Sequence, residues 1–343
     1  MEEVKLSEKK IPSYSAKWLV SRLEAQGIPS EQILAGTNLS RAWLNDGEAL
    51  ISPGQYLTIV GNALDKSGQP SLGLQIGRQH NLAQLGIWGY AIISSPTLDE
   101  ANRVAIQYWE LSGSLVTLSY RKERSCSLWG IKPAFPMNNL RSWIFAVEEL
   151  LSTFYSGAVF LSKEHFQIES IDLSYPKPAH WRLYTEIFDC PVRFNRRVDE
   201  FQTTFDFEQS PTSMGNPALA EICREQCRRL MAKLKSYDEL IEAIRNLLIT
   251  SAGNFPRLPE AAAQMAMSPR TLRRRLEERN TTYQKIIDEI RAELGKEYIV
   301  STNLSVEQIA GRLGFSEATA LRRAFKKWTG VNIAQFRRNR YSQ

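Results

Sequence analysis

Apolar residues along the first 215 positions follow both helical and strand-like spacings. Apolar residues three and four apart predict five helices, at residues 16–26, 55–66, 97–111, 139–161 and 181–188. Runs rich in β-branched and aromatic residues predict five strands, at 114–121, 125–132, 166–173, 192–195 and 203–207. The mixture indicates an α+β domain in which several helices accompany a small sheet.

A polar segment with two prolines and a glycine interrupts both patterns between Glu208 and Pro217. A chain of 343 residues exceeds what one hydrophobic core usually holds, so we place a domain boundary in this segment. The predicted organisation is an N-terminal domain at 1–215, a connecting segment at 216–256 with helices at 218–234 and 238–250, and an all-α C-terminal domain at 257–343.

Two segments of the C-terminal domain resemble each other in sequence. Residues 262–278 and 310–327 align with an offset of 48 in their first part and 49 in their second, after a one-residue insertion. A solenoid needs three or more repeats at a fixed period, so two copies indicate a duplicated module.

The second copy carries the signals of two short helices separated by a tight turn. Ser305 and Gln308 form a capping box that predicts a helix start, and Gly314 can take the positive φ that ends this helix. Ser316 is then a suitable N-cap for the next helix, whose apolar residues recur at helical spacing. This order of elements is typical of a helix-turn-helix unit.

The first copy has the same order, with a departure in its turn. Pro259 suits a helix start, Ser268 caps the next helix, and Pro269 occupies the first position of that helix, where a missing N–H costs nothing. Ala266 stands where the second copy has Gly314. If the turn requires positive φ, alanine costs about 1 kcal/mol there.

A further helical pattern at 283–300 joins the two units. Its apolar positions are Ile286, Ile287, Ile290, Leu294 and Tyr298. Such a linker helix would hold the two units at a fixed separation. If both units enter successive major grooves of DNA, that separation is about 34 Å, one helical turn.

The excess positive charge of the chain lies in its last quarter. From Arg257 onward there are 17 Lys and Arg against 9 Asp and Glu, whereas residues 1–256 have 26 against 28. No acidic residue follows Glu317. Such a segment attracts a phosphate backbone, and the arginine side chain has a fork that matches guanine O6 and N7.

These C-terminal motifs resemble those of the AraC/XylS family of bacterial transcription regulators. The resemblance covers about residues 257–338 and rests on MSPRTLRRRL, IRAELGKEYI and LSVEQIAGRLGFSEATALRRAFKKWTGVNIAQFR, in that order. It implies sequence-specific binding of double-stranded DNA by both units, with RNA polymerase as a further partner. Carried over by position, the implied DNA-binding residues are Arg270, Thr271, Arg273, Arg274, Ala318, Thr319, Arg322 and Arg323.

The linker helix shows both agreement and departure. Arg291 matches the arginine of the family's linker helix. Gly295 stands where that helix usually has Ala, Ile333 where the closing motif usually has Pro, and Ala266 where the first turn usually has Gly. We expect the first two departures to loosen the linker and the last helix.

The N-terminal domain resembles the effector-binding domain of one subgroup, the arabinose-binding type. The matching pieces LGLQIGR, LGIWGYAIISSPTLDEA and FDCPVRFN are spread over most of residues 15–210. The resemblance implies a domain that binds an unknown small-molecule effector, forms a homodimer, or both, and thereby controls DNA binding, usually for activation. The sequence assigns no residue to the effector pocket.

Motifs of other functional classes are absent from the sequence. There is no HExxH, GxSxG or P-loop motif, so we predict no catalytic residue, no cofactor and no metal site. A zinc site needs about four ligands, and Cys223 and Cys227 supply only two. The pair is therefore predicted to be free thiols in a reducing cytoplasm. Neither a secretory signal nor a membrane span is visible, and the apolar stretch at 143–161 is predicted to be a buried helix.

Two alternatives to an effector-controlled regulator remain open. One is an effector-independent regulator whose N-terminal domain only dimerises. The other is an enzyme tethered to DNA, against which the missing catalytic constellation argues.

Overall fold

The computed structural model describes residues 11–46, 49–123, 126–137, 139–163, 165–208, 210–278, 281–302 and 304–339, with only the backbone at 236–238, 301, 338 and 339. Internal contacts divide the chain into two compact units, with the boundary between Leu234 and Lys235. Each unit has its own hydrophobic core.

The N-terminal unit combines short strands with helices, as the sequence predicts. Its elements are β1 (Ile11–Pro12), α1 (Tyr14–Glu24), α2 (Ser30–Ile33), α3 (Arg41–Asn45), β2 (Leu50–Ile51), α4 (Pro53–Ser67), α5 (Leu72–Arg78), α6 (Gly86–Ser94), α7 (Leu98–Gln107), β3 (Val116–Lys122), β4 (Ser127–Pro133), α8 (Leu140–Leu161), β5 (Ser170–Asp172), α9 (Arg182–Phe188), β6 (Val192–Arg193) and β7 (Asp199–Thr203). Single turns of 3₁₀ helix lie at Leu82–Leu85 and Trp109–Ser112.

The five-stranded sheet has the order β3-β4-β7-β5-β6, and its strands are antiparallel except for the β5–β6 pair. Trp129 of β4 pairs with Phe201 of β7, and their rings stack with centroids 5.2 Å apart. Both side chains are buried, so this aromatic pair helps to hold the centre of the sheet against the helices.

Helix α8 is the central helix of this unit. Helix α5 packs closely against it because two glycines face the contact. A Cβ built on Gly73 would lie 2.5 Å from the carbonyl oxygen of Phe145, and one on Gly77 would lie 2.4 Å from that of Glu149. Only a residue without a side chain allows the two backbones to approach this far.

The sequence-based predictions missed α5 and α6. Helix α6 reads GIWGYAIIS, which is apolar almost throughout and is buried on most sides, so its sequence has no polar face to reveal a helical period. Helix α5 contains two glycines, which weaken the local helical signal, and its contact with α8 compensates for them.

The predicted strand at 203–207 was wrong in position, because β7 spans Asp199–Thr203. Its inward positions are Asp199, Phe201 and Thr203, two of which are polar. The Asp199 carboxylate accepts hydrogen bonds from the Ser174 backbone N–H (2.8 Å) and hydroxyl (2.6 Å). Tertiary hydrogen bonds therefore allow polar residues at the buried positions of this strand, so the alternation of buried and exposed residues is not visible as an alternation of apolar and polar residues.

The two helices predicted for the connecting segment are one helix, α10 (Pro217–Thr250), which is 34 residues long. The intervening polar residues do not break it, since no proline or glycine lies within that gap. The boundary between the two units falls inside this helix.

The C-terminal unit is entirely helical in its described residues. After the end of α10 come α11 (Leu258–Gln264), α12 (Pro269–Glu277), α13 (Tyr283–Ser301), α14 (Val306–Arg312), α15 (Ala318–Thr329) and α16 (Ile333–Asn339). The predicted linker helix is thus α13. Two successive helix-turn-helix units, α11–α12 and α14–α15, flank it.

The two departures that we expect to loosen these helices, Gly295 and Ile333, both occupy packed positions in continuous helices. Helix α13 is continuous through Gly295, where an added Cβ would lie 3.3 Å from Leu313 Cδ1. Ile333 begins α16 and is buried in the core of the second unit, beside Phe325 and Leu321. Glycine therefore permits close packing of α13, and isoleucine adds apolar surface to the core.

Candidate nucleic-acid interface and ligand cavity

The two helix-turn-helix units are equivalent in structure as well as in sequence. The positioning helices α11 and α14 begin 48 residues apart, and the following helices α12 and α15 begin 49 residues apart. The insertion falls in the second turn. Ser316 is consequently not the N-cap of α15, as predicted, because Glu317 holds that position. Ser268 does cap α12, since its side chain accepts the Thr271 N–H.

Both turns use a residue with positive φ. Gly314 has φ 67° and Ala266 has φ 52°. The next N–H closes each turn: Met267 donates to the Ala262 carbonyl (2.8 Å) and Phe315 donates to the Ala310 carbonyl (2.9 Å). The turn therefore requires the left-handed conformation in both copies, and the first copy adopts it with an alanine.

Helix α12 presents its arginines on one exposed face. Arg270, Arg273 and Arg274 are exposed, while Leu272 and Leu276 are buried on the opposite face. Arg270 and Arg273 have no ion-pair partner in the described part of the chain, and Arg274 pairs with Glu278 (2.5 Å) at the surface. Exposed ion pairs are weak, so DNA can compete for Arg274.

Helix α15 presents an equivalent face. Arg322 and Arg323 occupy the positions of Arg273 and Arg274, and both are exposed. Thr319, also exposed, occupies the position of Arg270, and Ala318 is half-buried at the first helical residue. Arg322 pairs with Glu307 of α14 (3.2 Å), whereas Arg323 has no ion-pair partner among the described residues.

Thr271 differs from the other predicted DNA-binding residues. It is half-buried, and its hydroxyl lies 2.8 Å from the hydroxyl of the N-cap Ser268. The neighbouring Arg275 is also half-buried, with Nη1 3.7 Å from the sulfur of Met267. These two side chains contribute to the turn and the helix start, beside the exposed arginine face.

Arg291 ties the linker helix to the second turn. Its guanidinium donates hydrogen bonds to the carbonyls of Leu313 (2.9 Å) and Gly314 (3.2 Å), and it lies 4.6 Å from the centroid of the Phe315 ring. These contacts fix the turn that precedes α15. Arg291 therefore positions the second helix, and its own fork is occupied by protein.

The N-terminal unit contains a cavity of about 110 Å³ between α6, α7, α8 and neighbouring segments. Most of its wall is apolar, including Leu82, Leu85, Trp88, Ile92, Leu98, Ala101, Ala105, Trp109, Leu118, Leu150, Phe154, Ala158, Leu161 and Phe207. A mainly apolar cavity with a few polar groups is the usual form of a small-molecule site.

Two ionisable groups line this cavity, and burial disfavours the charged form of each. Burial raises the pKa of Glu149 to about 7, an effect that a hydrogen bond from the Tyr56 hydroxyl (3.2 Å) opposes. Burial lowers the pKa of His80 to about 4, so the imidazole is neutral at pH 7. The His80 ring stacks on Trp18 with a centroid distance of 5.3 Å.

Sequence reasoning did not find the cavity residues. Seven of the eight tryptophans lie in the N-terminal domain, which is the one signal that could have indicated a site there. Packing explains an enrichment of tryptophan equally well. Trp18 and Trp129 do pack, whereas Trp88 and Trp109 line the cavity.

Other candidate features of the sequence have structural explanations. Cys223 and Cys227 are free and buried, and burial raises the pKa of Cys227 to about 12. In the described ranges, no group of three His, Cys, Asp or Glu side chains could hold a metal ion. Helix α8 alone is long and apolar enough to cross a membrane among the described helices, but it is the mostly buried core helix of its unit.

Family comparisons match both parts of the chain. Residues 27–205 match the family described as the arabinose-binding domain of AraC transcription regulator, N-term, and residues 261–339 match a helix-turn-helix domain family. The chain is 31% identical to the ornithine utilization regulator of Pseudomonas aeruginosa over 95% of its own length and 96% of that protein's. It is 26% identical to an uncharacterized HTH-type transcriptional regulator of Mycobacterium tuberculosis over 97% of each chain.

Together the two domains define a DNA-binding transcription regulator with an N-terminal ligand-binding domain. The chain belongs to the AraC family, in the subgroup with an arabinose-binding-type N-terminal domain. The resemblance noted in the sequence is thereby confirmed. Among solved structures, the transcriptional regulator CdpR from Pseudomonas aeruginosa is similar, with 22% identity, a TM-score of 0.47, and coverage of 95% of this chain and 98% of that one. Both relatives are named as regulators.

Proposed function

We propose that this chain is a ligand-responsive transcription activator that inserts α12 and α15 into successive major grooves of one DNA site. The observation that carries the proposal is the equivalence of the Arg273–Arg274 and Arg322–Arg323 pairs, exposed at matching positions of two helices. The major groove admits one α-helix, and an arginine fork recognises guanine there.

The residue that accompanies each arginine pair on its helix differs between the two units, and this difference favours an asymmetric DNA site. The third position of the face is Arg270 in α12 and Thr319 in α15. Threonine and arginine contact different base edges, so the two units read different sequences. One protomer would therefore recognise two unequal boxes about one DNA turn apart.

Selection of DNA from a random pool by the full-length protein tests this arrangement. We expect two unequal enriched boxes whose centres are separated by about 10 base pairs. A single enriched box would contradict insertion of both helices. Failure to enrich any sequence, with and without candidate effectors, would contradict sequence-specific binding.

The arginine pairs provide a sharper test. Replacing Arg274 or Arg323 by Ala should cost about 1–3 kcal/mol of binding and relax preference at one base pair. Replacement by Lys should keep affinity for nonspecific DNA but should not restore the preference, because the ammonium group lacks the fork.

The half-buried Arg275 provides the matched control for this test, since Arg275→Lys should leave base preference unchanged. Measured affinities for a panel of single-base variants of the site distinguish these outcomes. If Arg274→Ala and Arg323→Ala weaken binding equally for every sequence, the arginines contact only phosphate.

Control by a small molecule is the second part of the proposal. A ligand that binds the N-terminal domain better in the DNA-binding state shifts the population toward that state, and RNA polymerase then responds at the promoter. The apolar cavity supports this part, because it offers a place for such a ligand within residues 1–215. If no compound that binds this domain changes DNA affinity or transcription, the chain is an effector-independent regulator instead.

The Pseudomonas relative named for ornithine utilization makes ornithine one candidate effector. The cavity does not favour it. Ornithine has two ammonium groups and a carboxylate, whereas the described cavity wall offers one carboxyl group, Glu149, and no Lys or Arg. Burial of unpaired charge is expensive, so we expect ornithine not to bind in this cavity.

A further inference from the structure

Two nitrogen donors of residues that line the cavity lack partners. The indole Nε1 of Trp88 and the side-chain nitrogen of Asn102 are buried, and neither donates to any group in the described part of the chain. An unpaired buried donor destabilises the folded chain, because it has lost its hydrogen bonds to water and gained none. An oxygen that accepted hydrogen bonds from these groups would remove that destabilisation.

The orientation of the Asn102 amide follows from its neighbour. Trp129 Nε1 lies 3.2 Å from Asn102 Oδ1, and an indole nitrogen can only donate. The amide oxygen is therefore already used, and the amide NH₂ is the end that remains available. Two further polar atoms of cavity-lining residues, the Thr153 hydroxyl and His80 Nε2, are also buried without a partner among the described residues.

The other tryptophan on the cavity wall does not share the unpaired state of Trp88. Trp109 packs edge-on against Trp88, with ring centroids 5.7 Å apart, and lines the same cavity. Its Nε1 donates to the Val116 carbonyl at 2.8 Å. One indole is therefore satisfied by protein, and the other has its donor available.

The charges around the cavity select against ions. No Lys or Arg side chain of the described residues lines it, so a carboxylate ligand would have no countercharge and would lie in the same cavity as Glu149. An ammonium ligand could pair with Glu149, but it could not accept from the Trp88 and Asn102 donors. A neutral ligand with an acceptor oxygen suits both conditions.

The volume indicates the size of ligand that the cavity can surround. The cavity measures about 110 Å³, and an engineered apolar cavity of about 150 Å³ is known to hold benzene. We propose that this cavity binds a neutral, mainly apolar molecule about the size of one six-membered ring, whose carbonyl or hydroxyl oxygen accepts hydrogen bonds from Trp88 and Asn102. This inference rests on the proposed control by a small molecule and names the site and the ligand class.

Three probes of similar shape test the ligand class with the full-length protein in the absence of DNA. Cyclohexanone has an acceptor oxygen, methylenecyclohexane replaces that oxygen by CH₂, and cyclohexanecarboxylate is an anion. Binding measured by ligand-observed NMR should be about tenfold tighter for the ketone than for the hydrocarbon, and at least about tenfold tighter than for the carboxylate. Equal binding of ketone and hydrocarbon, tighter binding of the carboxylate, or no binding of any probe would overturn the inference.

Two pairs of variants locate the site. Trp88→Phe should reduce the preference for ketone over hydrocarbon to less than about twofold, whereas Trp109→Phe should keep it, because the Trp109 donor is already used by protein. Thr153→Val should weaken ketone binding severalfold. Ser152→Ala, which removes an equally unpartnered hydroxyl that does not line the cavity, should not. If Trp88→Phe and Trp109→Phe reduce the preference equally, the proposed site is wrong. If Trp88→Phe does not fold, the second pair decides: equal ketone binding by Thr153→Val and Ser152→Ala would likewise overturn the site.

DNA affinity measured with and without cyclohexanone separates this inference from the proposed function. Binding of the ketone without a change in DNA affinity would keep the ligand site and contradict control through it. Control of DNA binding by a charged metabolite, with no ketone binding, would keep the proposed function and overturn the ligand site.

Discussion

Glu149 shows how the environment of a single side chain affects stability. It lies on α8 between the Tyr56 hydroxyl and the cavity, and its side chain is buried. Burial raises its pKa to about 7 from an ordinary value of 4.5. The folded state therefore binds a proton that the unfolded state has released between these two values, and stability falls as pH rises through this window.

Replacement of Glu149 by Gln should remove this loss. The free energy of unfolding of the variant, relative to the native chain, should rise by about 3 kcal/mol between pH 4.5 and 7.5 and then stay constant. Urea denaturation followed by circular dichroism at several pH values measures this difference. Glu31→Gln, at an exposed position, is the control for removal of a carboxylate. If the free energy of unfolding depends on pH in the same way in the native chain and in E149Q, the pKa of the Glu149 carboxyl is not raised in the folded state.

His80 acts in the opposite direction on the acid side. Burial lowers its pKa to about 4, so its contribution to stability is complete above about pH 6.5 and is lost as pH falls through 4. Between pH 4.5 and 6.5 the changes due to Glu149 and His80 largely cancel.

At the scale of elements, the two helix-turn-helix units are built from the same turn with different residues. Ala266 and Gly314 both have positive φ, although only glycine adopts it without strain. The first turn therefore stores strain that the second turn does not.

The two turns should respond to substitution with opposite signs. Ala266→Gly should stabilise the C-terminal unit by about 1 kcal/mol, and Gly314→Ala should destabilise it by about 1 kcal/mol or more. The second effect includes crowding, since an added Cβ would lie 3.3 Å from the Phe255 ring. Hydrogen exchange of buried amides in α12 and α15 of the full-length protein reports both changes. The same sign for both variants would contradict the strain at Ala266.

The contact between α5 and α8 supplies a second prediction at this scale. Gly77→Ala should cost about 1–3 kcal/mol, because its Cβ would lie 2.4 Å from the Glu149 carbonyl oxygen and α5 would have to move away. Gly61→Ala on α4 is the matched control, since no atom lies within 4 Å of its added Cβ, and it should stabilise by about 0.5–1 kcal/mol. Thermal unfolding of the two variants should thus change in opposite directions. A neutral Gly77→Ala would mean that the helices have room to separate.

At the scale of the whole molecule, the two units differ in the kind of interaction they offer. The C-terminal domain holds the net positive charge of the chain and presents exposed arginines, whereas the N-terminal domain contains an apolar cavity. DNA binding should therefore depend on counterion release, and ligand binding should depend on burial of apolar surface.

This difference predicts separate responses to salt. Between about 50 and 200 mM salt, DNA affinity should fall about 10³-fold or more if six or more phosphates are contacted. Cyclohexanone affinity should change less than about twofold over the same range, because a neutral ligand releases no counterions. Titrations of the full-length protein by fluorescence anisotropy with DNA and by NMR with the ketone measure the two responses. A shallow salt dependence for DNA would contradict a phosphate-tracking interface.

The sequence by itself determined the duplicated unit, its caps and turns, the linker helix and the exposed arginine faces. Each depends on signals within a few residues: a capping side chain, a positive φ, or apolar residues one helical turn apart. The same local signals misplaced Ser316 as a cap, because the aligned sequences do not show on which side of it the inserted residue falls.

The tertiary structure alone decided the cavity, the β7 register and the packing of α5 and α6. Their residues are remote in sequence, and their state depends on what surrounds them. Trp88 and Trp109 have the same chemical groups. They differ because the Val116 carbonyl lies beside the indole N–H of Trp109, whereas no acceptor among the described residues lies beside that of Trp88. Gly77 weakens a helix locally and is required only because α8 passes against it. Local sequence therefore specified the parts that meet DNA, and long-range packing specified the site that we propose for the ligand.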